Sequence, residues 1–168
     1  MALAFEPMID RSLADYVSNH WQEPFVACLM LQLLLAFSYL HSKGIVHNDV
    51  KPGNILVGNG TVKIADFGKA MYLEEELQEE GKPNKNGTIL YTAPEMARAR
   101  LRDDNSKKEL STSIDIWALG ATLYELLEGN YSFYEYDKFS VLSVIKNHGL
   151  YLTKDKEYSP TLKSFFSL

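Results

Sequence analysis

The apolar residues of this chain cluster in stretches that predict two long buried helices with short strands between them. Residues 24–42 are apolar on nearly every helical face, which is typical of a buried central helix. Residues 113–128 are similarly apolar and are followed by Gly129, a residue favoured just after a helix end. Between these helices, short apolar runs flank Asn59-Gly60, a pair that favours a hairpin turn.

Shorter patterns predict the remaining elements. They comprise a strand over residues 1–8, a helix over 11–20 capped by Asp10 or Ser12, a return strand over 61–65, and helices over 137–148 and 160–168. Residues 66–95 show neither the periodicity of a helix nor that of a strand. A loop of that length inside a compact domain is usually functional or disordered.

Composition narrows the class of protein. With 168 residues, 46% of them hydrophobic and 23% charged, the chain fits one globular domain. The net charge of -5 argues against a nucleic-acid partner, and Arg98, Arg100 and Arg102 are interpreted as part of a solvated face. The single cysteine, Cys28, lies in an apolar stretch and is predicted to be a buried structural thiol in a reducing compartment.

The longest apolar run also bears on location. It covers residues 25–37 and is shorter than the roughly 20 residues of a membrane span, so we expect no membrane association. The N-terminus lacks a basic region followed by a cleavable apolar segment, which argues against a signal peptide. The expected location is therefore intracellular and cytoplasmic, with a nuclear location left open.

Three clusters of polar residues carry the candidate chemistry. They are Val46-His47-Asn48-Asp49-Val50-Lys51-Pro52-Gly53-Asn54-Ile55-Leu56, Ile64-Ala65-Asp66-Phe67-Gly68, and Gly87-Thr88-Ile89-Leu90-Tyr91-Thr92-Ala93-Pro94-Glu95. In the first two, Asn54 and Asp66 offer oxygen ligands for Mg²⁺ on the two arms of one hairpin. Asp49 can accept the proton of an attacking hydroxyl, and Lys51 can neutralise charge on a moving phosphoryl group.

Each residue taken alone has a simpler interpretation. Asp-Phe-Gly can be an ordinary turn after a strand, Asn54 can bond to nearby backbone, and Asp49 can cap a turn. His47 alone is better interpreted as a satisfied core histidine than as a catalytic group. Asp115 can be a buried helix cap. What these interpretations do not explain is the joint occurrence of all of the residues in this order and spacing.

That order and spacing resembles the eukaryotic protein kinase family, in the serine/threonine class. The resemblance implies an α+β protein-kinase-like fold: a mainly helical large lobe with short β-hairpins around the catalytic loop. It implies one partial kinase domain over residues 1–168, comprising the hinge and the large lobe. It also implies ATP-dependent phosphoryl transfer to a protein hydroxyl, with ATP and Mg²⁺ as cofactors and a protein as the substrate.

The resemblance assigns roles to individual residues. The catalytic residues would be Asp49, Lys51 and Thr88; the metal ligands Asn54 and Asp66; and the further nucleotide contacts Phe5, Glu6, Met8, Ser12 and Leu56. Thr88 would bridge Asp49 and Lys51, and Asp115 would brace the catalytic loop from a buried helix.

The sequence also departs from the family pattern. It contains no glycine-rich loop or strand lysine for the nucleotide phosphates, so we expect no catalysis by these 168 residues alone. Asn48 replaces the usual arginine, and residues 66–87 contain no Ser or Thr, so a loop phosphate is not expected to be the switch. Residues 98–110 are interpreted as a solvated insertion, and Glu95 is expected to lack its usual arginine partner.

Two other functions stay open at this point. The chain can be a non-catalytic pseudokinase-like interaction module, for which exposed residues such as Phe5 and Phe67 would form a patch that a protein partner covers. It can also be a small-molecule kinase, although Ala93-Pro94-Glu95 and the long loop before it are typical of enzymes with protein substrates.

Overall fold

The computed structural model describes residues 11–19, 21–73, 88–102, 111–130, 133, 135–137, 140–147, 149–150, 152 and 157–166. Five α-helices lie in this part of the chain: α1 Glu23–Ser42, α2 Pro94–Arg102, α3 Ser113–Glu128, α4 Ser140–Asn147 and α5 Pro160–Phe165. Four 3₁₀ helices cover Leu13–Asn19, Pro52–Asn54, Phe67–Lys69 and Ile89–Tyr91. The strands are β1 Arg11–Ser12, β2 Ile45–Val46, β3 Ile55–Gly58, β4 Thr61–Ile64 and β5 Met71–Tyr72.

The strands form two small antiparallel sheets. One has the order β1-β3-β4, and the other pairs β2 with β5. The β3–β4 hairpin turns at Asn59 and Gly60, whose φ angles of 50° and 74° are those of a type I′ turn. Gln32 of α1 fixes this hairpin: it accepts from the backbone N–H of Val62 at 3.2 Å and donates to the carbonyl of Gly60 at 3.4 Å.

The core lies where α1 crosses α3. Leu33 and Phe37 of α1 pack with Leu119 and Leu126 of α3, and each of these side chains is at most 1% exposed. Val50, in the loop between β2 and β3, and Ile55, the first residue of β3, belong to the same cluster. The segment that follows Asp49 is therefore held by the core at Val50 and at Ile55.

The α3 prediction is confirmed at both ends. The helix covers Ser113–Glu128, and Gly129 follows it with a φ of 77°, donating its N–H to the carbonyl of Glu125 at 2.9 Å. Only glycine adopts this left-handed conformation without a steric cost. The hairpin at residues 59–60 is likewise confirmed, and the two late helices are present but shorter than predicted.

The helix predicted over residues 11–20 is wrong in type. Arg11 and Ser12 pair with β3, and a 3₁₀ helix follows. Ser12 lies directly before this 3₁₀ helix, and its backbone N–H and hydroxyl both donate to the Asp15 carboxylate. Asp10, the other predicted cap, lies outside the described residues. Pairing with a neighbouring strand has overridden the local helical pattern. The strand predicted over residues 1–8 lies outside the described residues.

Two predictions about α1 are wrong. Only one side of the helix is buried, through Val26, Leu29, Met30, Leu33 and Phe37. The other side exposes large apolar side chains, namely Phe25, Leu31, Leu34, Leu35 and Tyr39. Cys28 lies on this side and is exposed rather than buried. The apolar pattern indicated how hydrophobic the helix is, but α3 and the hairpin cover only one of its faces.

The length argument about membranes also needs correction, because α1 has 20 residues and a mean hydropathy of 1.7 over its most apolar window. By length and composition it is long and apolar enough to cross a membrane. The core helix of a soluble protein meets the same criterion, and α1 packs against α3 through part of its surface.

The interpretation of residues 98–110 as a solvated insertion is wrong for the part that the structure describes. Residues 98–102 are the second half of α2, which contacts α4. Arg98 is exposed, but Arg100 is half-buried and turned inward. Glu95, in the first turn of α2, accepts a hydrogen bond from the Ser113 hydroxyl at 3.1 Å.

Candidate active site

The loop after β2 is fixed by one carboxylate from α3. Asp115 accepts hydrogen bonds from the backbone N–H groups of His47 and Asn48, both at 2.9 Å, and its Oδ2 lies 2.9 Å from Nε2 of His41. The predicted brace is therefore present. Because α3 is anchored in the core, it determines where the loop lies relative to the rest of the lobe.

Asn48 lies at the bend of this loop. Its φ of 61° is in the left-handed region, which asparagine tolerates better than most residues. Its side-chain amide donates to the carbonyl of Lys69 at 3.4 Å. The residue that replaces the family's arginine thus connects the loop to the segment after Asp-Phe-Gly.

His47 is a satisfied core histidine, as its simpler interpretation predicted. It is fully buried, its Nε2 lies 3.0 Å from the carbonyl oxygen of Ala65, and its Nδ1 accepts from the backbone N–H of Asp49 at 3.3 Å. Its ring packs edge-on against Phe67 at 4.9 Å between centroids. His47 therefore supports Asp49 and joins the two polar clusters.

Asp49 is the centre of the polar network. Its Oδ2 accepts from Lys69 at 2.9 Å, from Lys51 at 3.2 Å and from Asn54 at 3.3 Å. Its Oδ1 accepts from the Thr88 hydroxyl at 2.9 Å and from the Thr88 backbone N–H at 3.3 Å. Lys51 also donates to the Thr88 hydroxyl at 3.3 Å, so Thr88 lies between Asp49 and Lys51 as predicted.

These donors decide the charge of Asp49. Burial alone would raise the pKa of its carboxyl, but hydrogen bonds from Lys69, Thr88 and Lys51 outweigh burial and lower the pKa from 3.8 to about 2. The carboxylate is therefore ionised at every physiological pH, and both of its oxygens have fixed directions.

Lys69 was missed by the sequence analysis. It follows Asp-Phe-Gly directly, and the 3₁₀ helix Phe67–Lys69 turns its ammonium group back toward Asp49. The sequence does place the cation Lys69 close to Asp66, a predicted metal ligand. It does not indicate the direction of the backbone after Gly68, which decides where the Lys69 side chain lies.

Asn54 and Asp66 lie at the open end of the β3–β4 hairpin. The backbone N–H of Ala65 donates to the carbonyl of Asn54 at 2.9 Å, which brings the two segments together. The Asn54 amide nitrogen donates to the backbone carbonyl of Asp49 at 2.8 Å. Asp66 is exposed and has a left-handed φ of 59°.

These two side chains fit a Mg²⁺ site. Gly68 donates to Oδ1 of Asp66, and within the described part of the chain neither Oδ2 of Asp66 nor Oδ1 of Asn54 accepts a hydrogen bond. Mg²⁺ is usually held by one or two protein oxygens together with phosphates and water. A carboxylate and an amide oxygen at one edge of a rigid hairpin meet that need.

The predicted nucleotide contacts are only partly described. Ser12 and Leu56 lie opposite each other in the β1–β3 pair, so both belong to one surface of the sheet. The Ser12 hydroxyl is already bonded to Asp15. Phe5, Glu6 and Met8 lie outside the described residues.

The sequence analysis also missed Glu125, a buried carboxyl next to the site. Glu125 of α3 is 2% exposed and accepts a hydrogen bond from the Tyr91 hydroxyl at 2.5 Å. Burial raises the pKa of Glu125 from 4.5 to about 7, an effect that the Tyr91 hydrogen bond opposes without cancelling. Since Tyr91 lies three residues after Thr88, α3 holds the loop on this side too.

Comparisons with known proteins agree with this geometry. A family model described as the protein kinase domain matches residues 1–167. A serine/threonine-protein kinase bur1 of Neurospora crassa is 36% identical over 129 residues, which is 73% of this chain and 23% of that protein. A serine/threonine-protein kinase ste20 of Emericella nidulans is 32% identical over 167 residues, 97% of this chain and 18% of that protein.

An Aurora kinase of Eremothecium gossypii is 34% identical over 141 residues, 81% of this chain and 35% of that protein. The chain therefore belongs to the protein kinase family, whose members generally use ATP and Mg²⁺. It spans between 18% and 35% of the length of these three relatives.

Proposed function

We propose that this chain is the large lobe of an ATP-dependent protein serine/threonine kinase, which transfers the γ-phosphoryl group of ATP to a protein hydroxyl. The observation that carries the proposal is the arrangement around Asp49. One carboxylate is held by Lys51, Lys69 and Thr88, next to the hairpin edge that carries Asn54 and Asp66. Phosphoryl transfer needs positioning and charge stabilisation more than covalent chemistry from the protein.

Asp49 would orient the substrate hydroxyl and accept its proton. With a pKa of about 2 it is a weak base, so its main contribution is the fixed direction of an ionised acceptor. Lys51, which donates to Oδ2 of Asp49, would stabilise charge on the transferred phosphoryl group.

Asn54 and Asp66 would hold Mg²⁺. When bound, the ion neutralises part of the phosphate charge. Leu56, and Ser12 opposite it, would lie under the nucleotide on the surface of the β1–β3–β4 sheet.

The serine/threonine class is supported by the names of the relatives and by the contact of Lys51 with Thr88. A pseudokinase-like module is not favoured, because Asp49, Lys51, Asn54 and Asp66 are all retained. We further propose that a protein partner covers the exposed face around Phe67, which is 45% exposed. We also propose that the protein works inside the cell, in the cytoplasm, with a nuclear location left open.

Two substitutions test the function in the full-length gene product. Asp49→Asn and Asp66→Asn should each reduce phosphate transfer from radiolabelled ATP to serine peptides by roughly 10²–10⁴-fold, because each removes charge at the reacting groups. Glu157→Gln, at an exposed carboxylate far from the site in sequence, is the matched control and should transfer at the wild-type rate. Wild-type rates in both site variants would disprove the kinase proposal.

A further inference from the structure

A small cavity lies between the loop after β2, the segment after Thr88 and α2. Its volume is about 30 Å³, enough for about two water molecules. Its polar wall is formed by Asn48, Asp49, Thr88, Thr92, Arg100 and Asp115. The rest of its lining is mostly apolar, so the cavity provides little hydration for a charged group inside it.

Arg100 brings a cation to this cavity, and the two carboxylates that line it, Asp49 and Asp115, form no ion pair with it. One guanidinium nitrogen donates to the Thr92 hydroxyl at 2.7 Å, while Nε is buried and has no acceptor. Within the described residues, no carboxylate forms an ion pair with Arg100. Burial also lowers the pKa of the guanidinium, although arginine keeps its charge in proteins.

The two carboxylates that line the same cavity are already engaged. Asp49 accepts from Lys51, Lys69 and Thr88, and Asp115 accepts from His41 and the loop backbone. Neither is free to turn toward Arg100 without giving up those bonds. A half-buried guanidinium whose Nε lacks an acceptor carries a desolvation cost that a bound anion would offset.

We propose that Arg100 binds an acidic side chain of the protein substrate, a carboxylate or a phosphate, close to the residue that is phosphorylated. This inference rests on the proposed kinase function. Asp49 and Arg100 line one cavity, so a substrate whose hydroxyl reaches Asp49 passes Arg100 within a few residues, given about 3.3 Å per residue in an extended chain.

A phosphate on the chain's own loop fits less well as the occupant. Residues 66–87 contain no Ser or Thr, and the one tyrosine there, Tyr72, pairs with Ile45 in the β2–β5 sheet. The chemistry of the cavity therefore indicates a group that arrives from outside, on the substrate.

Peptide binding tests the inference without relying on catalysis. One set of peptides carries a central serine and a single glutamate moved through the flanking positions; the matched sets carry glutamine or phosphoserine instead. Binding to the full-length gene product is measured by calorimetry without ATP. We expect the glutamate and phosphoserine peptides to bind about 10-fold tighter than the glutamine peptides at one or two adjacent positions, as a charge-assisted bidentate contact provides.

Variants identify the residue responsible. Arg100→Gln should abolish the gain in affinity for the acidic peptides, and Arg100→Lys should keep part of it. Arg98→Gln should keep all of the gain, because Arg98 is exposed on the same helix. If a thermal melt shows that Arg100→Gln is not folded, the affinity of Arg100→Lys for the acidic peptides decides whether Arg100 is responsible. Equal binding of the glutamate and glutamine sets, or a full gain in Arg100→Lys, would overturn the proposal.

The outcome is separable from that of the kinase assay. Phosphate transfer without an acidic preference would disprove the Arg100 site alone. A preference for acidic peptides without phosphate transfer would support the Arg100 site and disprove the proposed kinase function.

Discussion

Two lysines bind one carboxylate oxygen of Asp49. Lys51 and Lys69 both donate to Oδ2, while Thr88 holds Oδ1. Lys69 contributes the largest of the effects that lower the pKa of Asp49. The proton affinity of the group proposed to meet the substrate is therefore controlled by a residue that follows Asp-Phe-Gly.

Replacing Lys69 should change how stability depends on pH. Because the folded pKa of Asp49 is about 2, below its ordinary 3.8, its stabilising contribution is present above pH 3.8 and is lost as the pH falls toward 2. That contribution is roughly 2 kcal/mol at neutral pH. In Lys69→Gln the pKa rises, so the contribution shrinks and is lost at a higher pH. Chemical unfolding between pH 2 and 6 measures both changes.

The control for this prediction is the same substitution in an Asp49→Asn background. There the carboxylate that Lys69 affects is absent, so Lys69→Gln should leave the pH profile between 2 and 4 unchanged. An equal change in both backgrounds would show that Lys69 acts through another group.

The element that organises the site is α3. Asp115 in its first turn holds the loop of Asp49, and Glu125 in its fourth turn holds Tyr91. Ten residues of helix separate the two carboxyls by roughly 15 Å along the axis. One rigid, core-anchored helix therefore positions the loops on both sides of the candidate site.

Glu125 should make the domain less stable as the pH rises. Its folded pKa of about 7 exceeds the ordinary 4.5, so the folded state holds the proton more tightly and stability falls between pH 4.5 and 7. The loss amounts to roughly 3 kcal/mol by pH 8. Glu125→Gln should remove this loss, which chemical unfolding at pH 5 and pH 8 would measure.

Tyr91→Phe isolates the effect of the Tyr91 hydrogen bond on the pKa of Glu125. The Tyr91 hydrogen bond favours the ionised form of Glu125, so its removal should raise the pKa further and steepen the loss of stability above pH 7. A flat profile in wild type between pH 5 and 8 would contradict both expectations.

At the scale of the whole molecule, α1 presents an uncovered apolar face. Leu31 and Leu35 are 60% and 65% exposed, whereas Leu33, on the core side of the same helix, is 1% exposed. An apolar patch of this kind favours self-association or a partner.

A double substitution should change association without changing folding. Leu31→Gln with Leu35→Gln should lower light scattering, and should alter the free energy of unfolding by only about 0.5 kcal/mol, because little area is buried and glutamine is a good helix former. Leu33→Ala is the matched control and should cost about 2–5 kcal/mol. A similar cost for the double variant would mean that this face packs against another part of the protein.

Much of the local structure was predictable because its signals are local. Asn59-Gly60 and Gly129 adopt φ angles that few other residues tolerate, so the turn and the end of α3 could be predicted. The association of Asn54 with Asp66 was also predictable, since a short hairpin with a fixed turn brings its two ends together.

The sequence by itself therefore determined the family, the main helices and the residues of the polar network other than Lys69. Only the tertiary structure decided which face of α1 is covered, that Lys69 turns back to Asp49, and that Arg100 faces inward rather than into solvent. Hydropathy measures how apolar a segment is and not which of its sides meets a partner. Contacts between residues 20 or more positions apart depend on how α3 and the loops pack, and no local pattern records that.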